Sequence, residues 1–389
     1  MPNMPSDIFK NYILPTATLS GAIIGVGFFS LPYIALKVGI WLMLLYLIVL
    51  GTLVIFIHLL FGEIALKTPD FKRFPGFVRF HLGKRLGRFS LLSSIFGYFS
   101  VLLVYLIVGS DFLTNIFSPV FGGSRLLYVL IYFAAASLLV FIGIRAISKV
   151  ELAALVLLFI GLLIIFIKGF FNFKTSNIFT GAAGSGIKNL FLPYGPIIFS
   201  LWGAGMIPEA EEMLGRNLSA QAGLPAQTGK KLVKRIIIAG ILIPAIVYVS
   251  FIFLILGITG SGTTASALVG LRGTLGNGIS SLAIFLGVMT TFVAFIALGL
   301  ILKNIFMYDL GVKKTQAWLI TCFTPLILFL LGLNSFIPLI SFIGGVLLGI
   351  DGILILLMYK KIKGKNLLIY PLILIFVLGI IYQIIYFIK

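Results

Sequence analysis

The 389 residues are 60% hydrophobic and 10% charged, with a mean hydropathy of +1.21. That balance excludes a water-soluble domain with a polar surface and leaves an all-α integral membrane protein. A net charge of +19 would suggest nucleic acid in a soluble protein, but in a bilayer its placement sets orientation instead, and no nucleic-acid partner is implied.

Apolar runs long enough to cross a hydrocarbon core of roughly 30 Å recur along the chain, and we count about eleven of them. The first, about 11–36, is preceded by no basic n-region and no small-residue cleavage site, so it reads as an uncleaved span. At its centre stands Leu19-Ser-Gly-Ala-Ile-Ile-Gly-Val-Gly-Phe-Phe-Ser-Leu-Pro32. Gly21, Gly25 and Gly27 fall near mid-bilayer, where glycine is a poor helix former, and predict an interruption of the helix. Unpaired backbone at that depth is tolerated only where it is buried in protein or lines a cavity, which marks the stretch as a binding site.

Span 2 covers about 39–66, and the basic loop 67–88 suits a helix lying in the inner interface. Spans 3, 4 and 5 cover about 89–117, 125–144 and 150–170. Span 6, about 189–214, reads Ser200-Leu-Trp-Gly-Ala-Gly-Met-Ile-Pro-Glu209 at its centre, and Gly203, Gly205 and Pro208 predict a second interruption. Spans 7 to 11 follow at about 236–258, 279–307, 316–333, 336–359 and 367–388.

Both interrupted spans carry Gly-x-Gly closely followed by Pro, and they lie five spans apart, so they enter the membrane from opposite sides. This is the pattern of an inverted repeat, with residues 11–170 as the first half, 189–359 as the second and 367–388 as an appended helix. Glycine pairs also serve plain helix packing, and only their joint occurrence in matching positions favours two breaks.

With the N-terminus inside, the outer segments keep only Lys37, Arg125, Lys168, Lys174, Lys188, Arg272 and Lys389 of the 29 basic residues. The odd number of spans then puts the C-terminus outside the cytoplasmic membrane. Cys322 is the sole cysteine and lies in an apolar run, so neither a disulfide framework nor a thiolate metal cluster is expected, and no cofactor is implied.

The sequence resembles the amino acid and auxin permease branch of the amino acid-polyamine-organocation superfamily, which includes neutral and aromatic amino acid permeases. The resemblance covers nearly the whole chain. It rests on Gly-Ala-Ile-Ile-Gly-Val-Gly-Phe-Phe-Ser-Leu-Pro in span 1 and the Phe-Pro-Gly-Phe and Leu-Gly-Lys-Arg-Leu-Gly segments of the basic loop. Ser-Leu-Trp-Gly-Ala-Gly-Met-Ile-Pro-Glu in span 6 and Phe-Ile-Ala-Leu-Gly-Leu-Ile-Leu-Lys in span 8 complete it. It implies a LeuT-like five-plus-five inverted repeat with one extra C-terminal helix, helices 1 and 6 broken, and secondary active transport of an amino acid by alternating access.

An amino acid zwitterion needs donors for its carboxylate and acceptors for its ammonium, and a broken helix offers both. The amides of Gly25, Val26 and Gly27 face the carboxylate at the start of a half-helix. Carbonyls at Ala22 and from Ser200 through Leu201 and Trp202 to Gly203 serve the ammonium. Trp202 matches the aromatic that closes over substrate in relatives, although membrane tryptophans also serve as packing or interfacial residues. Tyr105, and with it Tyr98, are possible substrate contacts or core residues.

For a coupling cation, Gly287, Thr290 and Thr291 share one face of span 8. With the carbonyls of Gly21 and Ile24 they would make an oxygen cage like the sodium site of sodium-coupled relatives, unless the hydroxyls bond only their own helix. The inner half of span 5 lacks the lysine that replaces this sodium in some proton-coupled relatives. Glu209 is the candidate gate or protonatable carboxylate; Glu63, Glu211, Glu212 and Asp351 read as inner-end charges paired with nearby bases, and Asp111 as facing water. His58 reads as a hydrogen-bonded packing residue. The competing function is an amino acid sensor of the same fold; enzyme motifs are lacking, and a divalent-metal carrier would need acidic or Asn ligands that 21–27 do not offer. The sequence leaves the substrate side chain, Na+ against H+, direction and oligomeric state open.

Overall fold

The computed structural model describes residues 9–69, 72–143, 147–181, 189–220, 226–363 and 367–388. Among these residues there is no strand. Span 1 is α1 (Leu14–Ile23), a tight 3-10 segment (Val26–Ser30) and α2 (Leu31–Val38). Then come α3 (Ile40–Ala65), the short α4 (Phe74–Leu82), α5 (Lys84–Phe121), α6 (Arg125–Ile142) and α7 (Ile147–Gly169). The second half comprises α8 (Tyr194–Leu201), α9 (Ile207–Ala220), α10 (Ala226–Thr259), α11 (Arg272–Asn304), α12 (Lys314–Leu330), α13 (Phe336–Phe342), α14 (Leu348–Lys363) and α15 (Ile369–Ile388).

Among the described residues seven helices are long and apolar enough to cross a membrane, and the pair either side of Ile24 and Gly25, bent by 50°, makes an eighth. The remaining predicted spans fall on α7, on α8 with α9, and on α12, which are shorter or interrupted. Large apolar side chains cover the outside, Trp41 at 73% exposure and Ile48 at 69% among them, a surface that only hydrocarbon would tolerate. The helices are tied closely in sequence: α2 passes to α3 through Gly39 alone, at φ +87, a left-handed conformation that a side chain would resist.

The centre of the bundle is where the two interrupted helices meet the long ones. Helix α1 packs on α9 and α10, while α8 packs on α3 and on the π-turn Ile343–Leu347 that joins α13 to α14. At that last contact the helices touch through their backbones, since a Cβ on Gly344 would overlap the carbonyl of Gly195 and one on Gly195 would overlap Ser341. Such approach maximises dispersion where no hydrophobic driving force exists between helices in lipid. Helix α15 closes on the same stripe of α14, with Phe376 against Gly352 and Ile380 against Gly349.

Charges settle the ends. Glu63 collects Lys363 at 3.0 Å, Lys230 at 3.4 Å, Lys67 at 3.8 Å and the Tyr359 hydroxyl at 3.3 Å, holding α3, α10 and α14 at one end of the bundle. Asp111 does not simply face water: its carboxylate accepts from Arg125 at 2.7 Å and ties α5 to α6 at the other end. Asp351 is half-buried and has no ion-pair partner among the described residues, which departs from the paired inner-end reading. Because the Gly195 and Gly344 backbones are in contact, Gly344→Ala should destabilise the protein by at least about 2 kcal/mol, read as a lower midpoint of thermal unfolding in detergent.

Candidate functional site

Helix α1 ends at Ile23. Ile24 (φ −74, ψ 84) and Gly25 (φ −116, ψ −161) are non-helical before the chain re-enters helix at Val26. Helix α8 ends at Leu201; Trp202 (φ −78, ψ 121) is extended and Gly203 (φ −134, ψ 17) leads into a short 3-10 turn, Ala204–Met206, before α9. These φ values are all negative and open to any residue, so what glycine supplies at the breaks is close approach; in the second case Pro208 sits at the start of the following helix, where its missing N–H costs nothing.

The two interruptions touch. A Cβ on Gly27 would stand 2.6 Å from the Ser200 hydroxyl and 2.7 Å from the Phe199 ring, and one on Gly203 would stand 2.6 Å from the Ile23 side chain. Each glycine is therefore a surface on which the other span rests. Beside them, a Cβ on Gly25 would meet the Tyr105 hydroxyl at 3.1 Å, so α5 brings that hydroxyl to the first interruption. Gly25 and Trp202 are half-buried; Val26, Gly27, Ser200, Leu201 and Gly203 are buried. The Ser200 hydroxyl is buried and has no hydrogen-bond partner among the described residues, leaving a polar group directed at this junction.

A mid-bilayer break orphans backbone donors and acceptors, each costing about 1–3 kcal/mol if buried unpaired. Two side chains from uninterrupted helices meet them here. The Tyr248 hydroxyl, on α10 and fully buried, lies 2.9 Å from the Ile23 carbonyl and 2.8 Å from that of Ser200, so one proton is shared between the ends of α1 and α8. On α3, His58 accepts from the Gly203 N–H at 2.9 Å. Sequence reading missed Tyr248 and read His58 as a hydrogen-bonded packing residue without its partner, because nothing local to either residue announces a partner in another span.

The remaining candidates lie as follows. Ala22, Gly205 and Glu209 are exposed, whereas the segment Val26–Ser30 beyond the first break is buried. Phe28, Phe29, Phe112, Tyr248 and Phe251 pack ring against ring there, with Phe28 and Tyr248 stacked at 5.8 Å and Phe29 edge-on to Phe112 at 5.4 Å. One side of the junction is thus plugged by aromatics and the other is open. On α11, Thr291 is buried and bonds the carbonyls of Gly287 at 2.8 Å and Val288 at 2.9 Å, and Thr290 bonds those of Leu286 and Gly287, both at 3.1 Å. Gly287 itself makes room for Phe112. Helix α11 packs chiefly on α5 and α7, and α1, which carries Gly21, chiefly on α10.

The tryptophan/tyrosine permease family matches residues 10–385. The chain belongs to that family. It is an amino acid permease embedded in the membrane, and not an enzyme. Among solved structures, MhsT in complex with L-phenylalanine is similar at 17% identity with a TM-score of 0.56, covering 96% of this chain and 97% of that one. Mhp1 in an inward-facing conformation is similar at 15% identity with a TM-score of 0.67, over 96% of this chain and 88% of that one. A manganese transporter of Eremococcus coleocola, in complex with an aromatic bis-isothiourea substituted compound, gives 12% identity and 0.65, over 100% and 88%. At these identities the likeness is one of fold, the LeuT-like transporter fold. No curated protein matches the chain by sequence.

Because the Tyr105 hydroxyl stands where a side chain on residue 25 would go, Gly25→Val should abolish amino acid uptake by the permease while folded protein still reaches the membrane. Normal uptake by that variant, alongside normal abundance, would remove Gly25 from the site.

Proposed function

We propose that this permease is a secondary active transporter of neutral amino acids, aromatic or branched ones among them, driven across the cytoplasmic membrane by Na+ or H+. The observation that carries the reading is the contact between the two interrupted spans, Gly27 on Ser200 and Gly203 on Ile23. It gathers main-chain donors and acceptors at one place in the bilayer, which is what a zwitterion requires. In this reading the Val26 and Gly27 amides receive the carboxylate beside that of Gly25, whose N–H in this structure donates to the Ile23 carbonyl at 2.8 Å. The ammonium lies among the carbonyls near Ala22 and from Ser200 to Gly203, and the Tyr105 hydroxyl borders it beside Gly25. Trp202 and Phe199 offer aromatic surface for the substrate side chain, a choice supported by the family and by the phenylalanine held in MhsT.

For the coupling ion, the protons of both threonine hydroxyls are directed to their own helix, which leaves oxygen lone pairs of Thr290 and Thr291 able to face a cation together with the Gly21 and Ile24 carbonyls. Glu209, exposed in the first turn of α9, is the carboxylate proposed to gate or to carry a proton. The five-plus-five repeat, residues 11–170 against 189–359, supplies one interrupted span from each half, and the transporter alternates its access about the site between them. The N-terminus is taken as cytoplasmic and the C-terminus as external from the distribution of Lys and Arg. On that assignment the aromatic plug closes the outer side, and the exposure of Ala22 and Gly205 corresponds to a pocket open inward.

Uptake of a panel of amino acids into proteoliposomes, with sodium and proton gradients imposed separately, tests the whole reading. The expected result is accumulation of a neutral amino acid under one of the two gradients. If sodium is the driver, Thr291→Ala should weaken activation by sodium at least about tenfold, and unchanged activation would remove the threonine site. Ala22→Cys should react with a membrane-impermeant thiol reagent from the cytoplasmic side only, against a background set by the one native cysteine, Cys322, which is buried. Labelling from outside alone would reverse the orientation.

A further inference from the structure

His58 stands within α3, an uninterrupted helix, and is completely buried. Its Nδ1 lies 2.8 Å from the carbonyl oxygen of Val54 one turn back, and its Nε2 lies 2.9 Å from the Gly203 nitrogen. A carbonyl can only accept and a backbone N–H can only donate, so one arrangement satisfies both: a neutral ring with its hydrogen on Nδ1 and its lone pair on Nε2. The same ring stands edge-on to Trp202, their centroids 5.0 Å apart. One side chain therefore grips two consecutive residues of the second interruption, Trp202 by its ring and Gly203 by its amide.

Volume alone does not account for this residue. A leucine or phenylalanine would fill the space, but neither could accept the Gly203 N–H that the end of α8 has released. Nor does a charge hold the ring, since its hydrogen bonds are to the two backbone groups. We infer that His58 is a positioning residue for the transported amino acid: its Nε2 acceptor fixes the turn at Gly203 and so holds Trp202 against the substrate. The inference rests on the transport reading above, in which Trp202 lines the pocket. It assigns the hold on the span-6 break to α3, a helix that is itself unbroken.

The test compares His58→Phe, which keeps a ring beside Trp202 without an acceptor, with His58→Asn, whose shorter amide bonds Val54 but falls short of Gly203, and with His58→Gln, whose amide can do both. Tryptophan uptake into proteoliposomes gives KM and maximal rate per folded transporter. His58→Phe and His58→Asn should raise KM about tenfold or more with the maximal rate less affected, and His58→Gln should stay within about threefold of the parent. A merely structural role would lower the amount of folded protein and leave KM alone. Where His58→Phe does not accumulate, His58→Asn against His58→Gln decides. Emission of Trp202 in a Trp41→Phe, Trp318→Phe background reports its surroundings without any transport; it should shift in the Phe and Asn variants and hold in the Gln variant. Parental KM and emission in His58→Asn, or a His58→Gln variant as impaired as His58→Asn, would overturn the inference. Absence of amino acid uptake by the unaltered protein would instead defeat the transport reading, and the emission comparison would then judge His58 alone.

Discussion

An N–H or carbonyl released from a helix in the middle of a bilayer has no water to turn to, so every interruption there must bring its partners with it. In this protein the partners come from two helices that run unbroken past the gap. Tyr248 on α10 offers one hydroxyl to the carbonyls that close α1 and α8, and His58 on α3 takes up the amide at Gly203. Satisfied in this way, the breaks persist as structure.

Close approach is the second requirement, and it explains why glycines cluster where they do. At the crossing of the two spans, Gly27 lies under Phe199 and Ser200 while Gly203 lies under Leu19 and Ile23. At the flank, Gly195 and Gly344 let α8 and the π-turn of span 10 meet backbone to backbone. A chain packed this tightly moves between discrete arrangements, not by gradual yielding. The crossing is asymmetric, with five aromatic rings packed together on one side and exposed Ala22, Gly205 and Glu209 on the other.

Membership of the tryptophan/tyrosine permease family gives the class of substrate its context, and the local chemistry fits it. Tyr105 from span 3 and Phe199 from span 6 meet the first break at Gly25 and Gly27, while the Trp202 ring stands against His58. Helix α11, which carries Thr290 and Thr291, packs chiefly on α5 and α7.

Much of the architecture was legible from residues alone, for a physical reason: in hydrocarbon the chain has few options, and twenty apolar residues in a row report a helix almost without context. Gly25, Gly27, Gly203 and Pro208 were legible because they are the wrong residues for an unbroken membrane helix, and finding them in matching spans pointed to one pocket. What the sequence could not supply were the partners. His58 is 145 residues from Gly203 and Tyr248 is 225 from Ile23, and their residue types are equally at home in plain packing. Asp111 looked like a solvent-facing charge until the fold set Arg125 beside it. Local pattern determines where the backbone must break, since that depends on propensity within one turn; which side chain repairs the break depends on which helices become neighbours, and only the tertiary structure decides that.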